Sequence, residues 1–437
     1  MSSHRRSDSA SSHSAAWLSA LAFFFVMTSY YIIRPVRDQL SGAVGSKLLP
    51  LFYAVTLAVM LIITPIFGAL VARFRRKALL GWSYSFFVAC LLAFVPVFVA
   101  QDRIGARQLG IVFYVWVSVF NLFVVSLFWS FMADIFSADR ARVVFPLIAL
   151  GGMAGAIFGP LVTKALVAML GVAPLLAVSA TGLAIALGLL LFLSSEQEKI
   201  THGQGGEPVG GSLWAGVQQL FTRPFLMYMA VLMLLGDGIG TFAYALVADY
   251  SKAHLVDKVA RTSFYNDLDL YANLLGVVLQ LAITPWVLLR RGPVTALVIT
   301  SLVNLVLLVA IVIWGPGELP GIGMPLLAVL MIGSRGFTYG MTKPASDALY
   351  TRVPREARYK GKNFIETAIW RLGDLLVTGS VTGLTALGVA AGGMAGIGAG
   401  LSVLAALVAR AVGRTPEVID NASLQQPGLP GRPLTRL

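Results

Sequence analysis

Long apolar segments of roughly twenty residues recur along the whole chain and are separated by short polar stretches. A helix needs about 20 apolar residues to cross a hydrocarbon core about 30 Å thick. None of the segments alternates apolar and polar residues with the period of two that a membrane β-barrel requires. The pattern therefore predicts an all-α polytopic membrane protein with twelve transmembrane helices. The predicted spans are 16–34, 49–72, 78–100, 109–133, 144–169, 173–194, 224–249, 268–289, 293–314, 322–344, 363–388 and 390–411.

The longest polar interruption, 195–212, is rich in glycine and charge and lies between the sixth and seventh apolar segments. Behind it, residues 213–221 place their apolar side chains on one helical face, which is typical of a short helix on the membrane surface. Two six-helix halves joined by a polar linker are the layout of many secondary transporters. The predicted organisation is an N-terminal half at 1–194, a cytoplasmic linker at 195–223, a C-terminal half at 224–411 and a cytoplasmic tail at 412–437.

Composition and charge agree with a membrane protein. Hydrophobic residues make up 57% of the chain and charged residues 12%, against about 25% charged residues in soluble domains. About two thirds of the 33 Lys and Arg residues flank the spans on one side. This distribution predicts a protein of a bacterial-type inner membrane with both termini in the cytoplasm. The net charge of +13 then faces anionic membrane lipids and requires no nucleic-acid partner.

The first apolar segment ends in YYIIRPVRDQL, which carries Arg34, Arg37 and Asp38. A charged side chain at the centre of a span costs about 2.5–3.5 kcal/mol on insertion scales, so such residues normally face a cavity or a partner. Near the end of a span, they can also be headgroup anchors. We predict that Arg34 and Arg37 are anion ligands, with Pro35 loosening the helix between them. Lys164 is alone on its predicted span and receives no role.

Further charges lie inside three spans of the predicted C-terminal half. Asp237 is near the middle of the seventh span and Arg335 near the middle of the tenth. In the eleventh, helical spacing places Glu366 and Asp374 on one face, and Arg371 one turn before Asp374, where the two can pair. These residues either neutralise one another in bridges between helices or contribute to a binding site.

The charged residues come from both predicted halves, and guanidinium groups bind phosphate or carboxylate groups through two parallel hydrogen bonds. We therefore predict a secondary transporter for a small anionic solute, with substrate-binding residues Arg34, Arg37, Asp38, Arg335, Arg371 and Asp374. A proton-coupled facilitator of a non-nucleotide solute is the second hypothesis, with Asp237, Glu366 or Asp374 as the proton carrier or gating residue. A non-transporting membrane scaffold or assembly factor is the third.

The sequence contains no metal-ligand cluster, no phosphate-binding glycine loop and no nucleophile motif, and its four histidines lie in predicted tails or loops. We therefore predict no enzyme activity, no cofactor, no metal and no obligate protein partner. The expected partners are the solute and the membrane lipids.

Two motifs resemble the major facilitator superfamily. The stretch GALVARFRRKAL at 68–79 resembles its loop signature between spans two and three, although Ala72 stands where an acid is usual. The stretch GGMAGAIFGP carries Gly151, Gly155 and Gly159 at four-residue spacing and resembles the end of the superfamily's antiporter motif. Small residues at this spacing also allow helix backbones to approach closely, and we favour this packing role.

Residues 29–40 resemble the first-span signature N-Y-T-I-L-R-x-x-K-D-x-L of the nucleotide transporters, the ADP/ATP exchangers of plastids and intracellular bacteria. Residues 348–374, ALYTRVPREARYKGKNFIETAIWRLGD, are similar to a longer pattern of that family that contains K-G-K and ends in R-L-G-K. The resemblance implies a twelve-helix facilitator fold and antiport of nucleotides.

The chain departs from this family at charged positions that the family uses for its substrate. Ser118 and Ala248 stand where the family has glutamates, and Asp374 stands where it has the lysine of R-L-G-K. Lys252 is kept. These departures predict a divergent relative with weak or absent ATP binding.

Overall fold

The computed structural model describes residues 2–74, 76–136, 138–198, 220–318, 321, 323–351, 361–362 and 365–419. Most of the predicted linker, nearly all of its surface helix and the tail from residue 420 lie outside the described residues, as does the basic loop at 352–360.

Apolar segments without a polar face become helices because every backbone donor and acceptor is then satisfied within the segment. The longer helices are α1 Ser2–Val44, α2 Leu49–Arg73, α3 Arg76–Val99, α4 Ala106–Ile135, α5 Ala138–Leu170, α6 Ala173–Glu198, α7 Pro224–His254, α8 Lys258–Val278, α9 Thr284–Arg291, α10 Pro293–Trp314, α11 Leu326–Phe337, α12 Lys343–Tyr350, α13 Trp370–Ala386 and α14 Ala391–Val412. Single helical turns occupy Ser46–Leu48 and Gln101–Ile104. Short π-helical turns occupy Leu279–Ile283, Thr338–Thr342 and Ile365–Ile369.

The predicted all-α polytopic membrane fold is confirmed. Within the described residues, ten helical segments are long and apolar enough to cross a membrane. The other two predicted spans, 322–344 and 363–388, also coincide with helices, and both contain a π-helical turn and charged side chains. A π turn inserts one residue into the helical repeat. It therefore changes which side chains share a face.

The predicted end of the first span at residue 34 is wrong. Helix α1 continues through Pro35 to Val44, ten residues further. The expected boundary rested on the charges of Arg34, Arg37 and Asp38, because charges normally mark the edge of a span. Here Arg34 and Asp38 are buried and paired inside the protein, so they do not end the helix.

The described chain forms two compact units. Unit 1 consists of Met1–Val209, Phe242–Val277 and Leu375–Gly388, and unit 2 of Gly210–Thr241, Val278–Asp374 and Val389–Leu437. Helix α7 thus contributes to both units, with the change after Thr241. The predicted division into sequence halves at 1–194 and 224–411 stays a prediction.

Helices α1 and α5 pack with their backbones in close contact inside unit 1. A Cβ added at Gly151 would lie 2.3 Å from the carbonyl oxygen of Ala20, and one at Gly155 would lie 2.2 Å from that of Phe24. Gly159 is similarly close to α1. The glycine stripe therefore has the packing role that its spacing indicated.

Aromatic contacts hold α1 against α4. Phe23 stacks on Phe128 with ring centroids 4.5 Å apart, and Tyr30 lies parallel to Phe120 at 6.5 Å. These rings are rigid and bury large areas. Helix α1 is thus held between α4 and α5, which fixes the positions of its charged side chains.

Candidate functional site

Arg34 forms a buried ion pair within unit 1. Its Nε lies 3.4 Å from Oδ2 of Asp269 on α8, and the side chains are 8% and 2% exposed. The guanidinium carbon also lies 5.4 Å from the centre of the Tyr31 ring. Charge-assisted hydrogen bonds are typically 2.7–2.9 Å long. The Nε–Oδ2 contact is longer than that, although both groups are almost fully removed from solvent.

Arg37 pairs with the adjacent Asp38. Its Nε donates to Oδ1 of Asp38 at 2.7 Å, and its second guanidinium nitrogen lies 2.7 Å from the same oxygen. The guanidinium stacks over the ring of Tyr114 at 4.6 Å, and Tyr244 donates its hydroxyl proton to Asp38 at 3.0 Å. The Arg37 side chain is only 11% exposed, which argues against a role as a headgroup anchor alone.

Helix α7 makes polar contacts with the C-terminal end of α1 and the turn that follows it. The Ser46 backbone N–H donates to Oδ1 of Asp249 at 2.7 Å, and Lys252 donates from Nζ to the carbonyl oxygen of Val44 at 2.9 Å. The Tyr244 hydroxyl also forms a short hydrogen bond with Ser41. These contacts join segments about 200 residues apart in the sequence.

Helix α8 continues this line of contacts along α5. Lys164 pairs with Asp267 at 3.0 Å, with side chains 47% and 31% exposed. Asn273 donates from its amide to the carbonyl oxygen of Ala156 at 2.7 Å. Lys164 is the one charged residue of its predicted span, 144–169, and its partner lies on a helix distant in sequence, which spacing within one span does not reveal. We call the contacts of α7 and α8 with α1 and α5 the unit 1 seam.

Four of the predicted charged residues come together in unit 2. Asp374 is 5% exposed and accepts a hydrogen bond of 2.6 Å from Oγ1 of Thr241. Arg371 lies 3.9 Å from the other carboxylate oxygen of Asp374, as their spacing predicted. Asp237 interacts electrostatically with Asp374, Arg335 and Arg371. The two acids and two arginines form one charge-balanced cluster.

Glu366 belongs to a different group of ion pairs. It contacts Lys343 closely and lies 3.9 Å from Lys362, which in turn pairs with Asp347 at 2.7 Å. The predicted common face with Asp374 assumed a regular α-helix, whereas Ile365–Ile369 is a π turn. The structure therefore places Glu366 among lysines rather than with the cluster around Asp374.

Sequence reasoning missed several residues of these clusters. Asp269 is the second residue of the predicted eighth span. An acidic residue inside a span indicates a functional site, so the sequence could have identified it. Tyr114, Tyr244 and Thr241 carry no such indication, because tyrosine and threonine are common in membrane helices for reasons of packing. Only their tertiary contacts with Arg37, Asp38 and Asp374 reveal them.

The family model of the Major Facilitator Superfamily matches residues 19–396, which is most of the chain. The chain belongs to the Major Facilitator Superfamily. No curated protein sequence matches this member of the superfamily. The match includes the motifs that resemble nucleotide exchangers. It does not distinguish the nucleotide-exchanger family from other families of the superfamily.

Solved structures of several transporters share the fold of this superfamily member. A bacterial homologue of the iron transporter ferroportin, in the inward-facing state, has a TM-score of 0.64 at 13% identity and covers 92% of this chain and 98% of its own. The POT family transporter PepTSo scores 0.63 at 14% identity, with 94% of this chain and 99% of its own covered. A mutant of the nucleoside transporter NupG scores 0.61 at 15% identity, with 90% and 99% covered. Identities this low show the fold alone.

Proposed function

We propose that this chain is a secondary active transporter that carries an anionic, phosphorylated or carboxylated solute by alternating access, in exchange for a second anion. The observation that supports this most directly is the burial of Arg34 and Arg37 on a membrane-spanning helix. A buried guanidinium is costly unless it is neutralised. In a membrane protein, such a residue is by default a functional one.

The unit 1 residues fit the recognition of an anion. Arg34 and Arg37 lie one turn apart on α1, and each already contacts a carboxylate, Asp269 or Asp38. A solute phosphate or carboxylate can accept the same guanidinium hydrogen bonds as the carboxylates of Asp269 and Asp38. In unit 2, Arg335 and Arg371 supply two further guanidinium groups, balanced by Asp237 and Asp374.

The resemblance to nucleotide exchangers supports a nucleotide-like solute, and the acid at position 374 favours one with fewer charges than ATP. The exchanger signature R-L-G-K places a cation beside the arginine, whereas Asp374 here lies 3.9 Å from Arg371. That difference of two charges would disfavour a triphosphate more than a monophosphate.

A thermal-shift screen of purified protein against nucleotides and other metabolite anions tests the proposal. A ligand at 100 times its Kd stabilises a protein by about 2.7 kcal/mol, so a true substrate raises Tm measurably. We expect at least one anion to raise Tm of the wild type and to have little effect on Arg34→Gln/Asp269→Asn, which removes the cation together with its buried partner. A screen in which no anion raises Tm would contradict anion transport.

Proton-coupled transport is the second candidate, and one observation favours it. Asp237 and Asp374 are neighbouring carboxylates in unit 2, where Asp237 lies on a candidate membrane helix and Asp374 is 5% exposed. A nearby carboxylate disfavours ionisation and nearby arginines favour it, so a change in the distances among these four groups would bind or release a proton. Proteoliposomes with an imposed pH gradient would distinguish the candidates. Uptake that follows the gradient, requires no internal anion and is lost in Asp374→Asn would support coupling to protons.

A further inference from the structure

The ion pair of Arg34 and Asp269 joins helices that are far apart in sequence. Arg34 lies on α1 and Asp269 on α8, and their residues are 7% and 2% exposed. A charge taken out of water must be compensated by another charge or by hydrogen bonds. The Asp269 carboxylate therefore compensates the positive charge of Arg34 in this structure.

We propose that Asp269 is an internal counter-anion that neutralises Arg34 while no solute is bound, and that an anionic solute must displace this carboxylate to reach Arg34. The proposal rests on the function proposed above and assigns Asp269 a role in its specificity. A neutral solute cannot compensate Arg34 and so cannot replace Asp269. A phosphate or carboxylate can, because it offers the same oxygen acceptors.

Close packing at the C-terminal end of α1 links the displacement of Asp269 to opening of the unit 1 seam. A Cβ added at Gly42 on α1 would lie 2.6 Å from the ring of Tyr265 on α8 and 2.7 Å from Oγ of Ser251 on α7. Such close packing leaves no room for a solute between α1, α7 and α8 at the level of Gly42. Displacement of Asp269 removes one of the contacts that hold α8 against α1, so it shifts the population towards an open seam.

Asp267 provides a matched control on the same helix. It lies two residues before Asp269 and also pairs with a basic residue, Lys164, but these side chains are 31% and 47% exposed. Exposed ion pairs contribute little to stability. Asp267→Asn therefore makes the same chemical change as Asp269→Asn, but at an ion pair that is partly exposed to solvent.

A buried serine in the seam can report its opening. Ser251 is 0% exposed and packs against Gly42. In a Cys90→Ala background, Ser251→Cys places one thiol there, and its rate of reaction with a maleimide measures opening in purified protein. We expect Asp269→Asn to raise this rate about tenfold or more, because Arg34 loses its counter-anion. Asp267→Asn should change it by less than about threefold.

Two further variants distinguish opening of the unit 1 seam from destabilisation of the whole protein. Arg34→Gln combined with Asp269→Asn removes both charges, so the labelling rate should return to within about threefold of the background protein. Ser402→Cys reports a buried position in unit 2, and its labelling should not change with Asp269→Asn. Equal effects of the 267 and 269 substitutions, no recovery in the double variant, or a parallel rise at position 402 would each overturn the proposal.

Binding of AMP to purified protein tests the competition itself. If Asp269 competes with the anion, Asp269→Asn should bind AMP about fivefold more tightly than wild type, because a larger fraction of molecules has Arg34 available. Weaker binding by Asp269→Asn would overturn the proposal. If no anion binds either protein while Asp269→Asn still opens the seam, the proposed transport function fails and neutralisation of Arg34 by Asp269 remains supported.

Discussion

At the scale of single residues, Arg37 and Asp38 show how a buried charge depends on its partner. Arg37 and Asp38 are adjacent in sequence, share two contacts of 2.7 Å and are nearly inaccessible to solvent. Asp38 is the more deeply buried of the two, at 1% exposure. Removal of one member of such a pair therefore affects stability and function together. Experiments on Arg37 must separate the two.

Arg37→Ala should destabilise the protein, because it leaves the Asp38 carboxylate buried without its cation. Breaking a buried pair typically costs about 3–5 kcal/mol, so Tm of the purified protein should fall clearly. The double variant Arg37→Ala/Asp38→Asn should recover most of that loss. If Arg37 is an anion ligand, this stable double variant should still exchange AMP across proteoliposomes at least about tenfold more slowly than wild type. Exchange at the wild-type rate would leave Arg37 a structural role only.

We predict that Asp374 limits the negative charge of a solute that can bind beside Arg371. We expect the wild type to bind ATP weakly or not at all and Asp374→Lys to bind polyanions more tightly. The substitution changes the local charge by two, and each unit charge at 4 Å corresponds to about 4 kcal/mol at an effective dielectric constant of 20. Even after strong discounting for solvent, affinity for ATP should rise about tenfold or more in a calorimetric titration.

Glu318→Lys is the control for this experiment, because it makes the same charge change at an exposed loop position. Its affinity for ATP should equal that of the wild type. Tight ATP binding by the wild type that Asp374→Lys abolishes would reverse the argument and favour a plain nucleotide exchanger.

At the scale of secondary-structure elements, local geometry decides which side chains meet. The contact of α1 with α5 depends on glycines, because α5 approaches α1 at the level of backbone atoms. The π turn at Ile365–Ile369 separates Glu366 from Asp374, although their spacing in a regular α-helix would place them together. Both features follow from one or a few residues, and both change which side chains lie together.

Gly155→Ala should destabilise the protein, since the added Cβ would lie 2.2 Å from the carbonyl oxygen of Phe24. Backbone atoms cannot move aside as a flexible side chain can, so the two helices must separate. Overpacking of this kind costs about 1–3 kcal/mol, which thermal denaturation in detergent would detect. Gly188→Ala on α6 is the control, because an added Cβ there has no atom within 4 Å. It should leave Tm unchanged or slightly raised. Equal effects of the two substitutions would contradict a packing role for the stripe.

At the scale of the whole molecule, the family match and the ten candidate membrane helices found among the described residues establish a multi-pass transporter fold. Orientation in the membrane is a prediction from the distribution of Lys and Arg. Cytoplasmic loops carry an excess of these residues because positively charged loops are not readily translocated. The direction of transport and the location of the termini depend on this orientation, which labelling in intact cells can determine.

Single cysteines in a Cys90→Ala background should react according to this topology. Val256→Cys lies in the connection between α7 and α8 at a side chain that is 86% exposed. It should react with an impermeant maleimide added outside intact cells. Gly205→Cys, in the predicted cytoplasmic linker, should react only after the membrane is permeabilised. External reaction at position 205 would invert the predicted orientation.

The sequence by itself determined the class of fold and the positions of most membrane helices. Predicted spans such as 49–72 and 293–314 agree with α2, Leu49–Arg73, and α10, Pro293–Trp314, to within a residue or two. The cost of exposing backbone polar groups to lipid leaves helices as the solution for long apolar segments. The cost of buried charge likewise identified Arg34, Arg37 and Asp374 as residues that need a partner.

Only the tertiary structure decided which partners those charges have. Asp269 lies more than 200 residues from Arg34, and Thr241 lies 133 residues from Asp374. Sequence spacing predicts contacts within one helix, such as that of Arg371 with Asp374, because a helix has a fixed repeat. It does not predict contacts between helices or the register change at a π turn, since these depend on packing of the whole unit. That packing makes α1 continue past Arg34 and places Asp269 beside it.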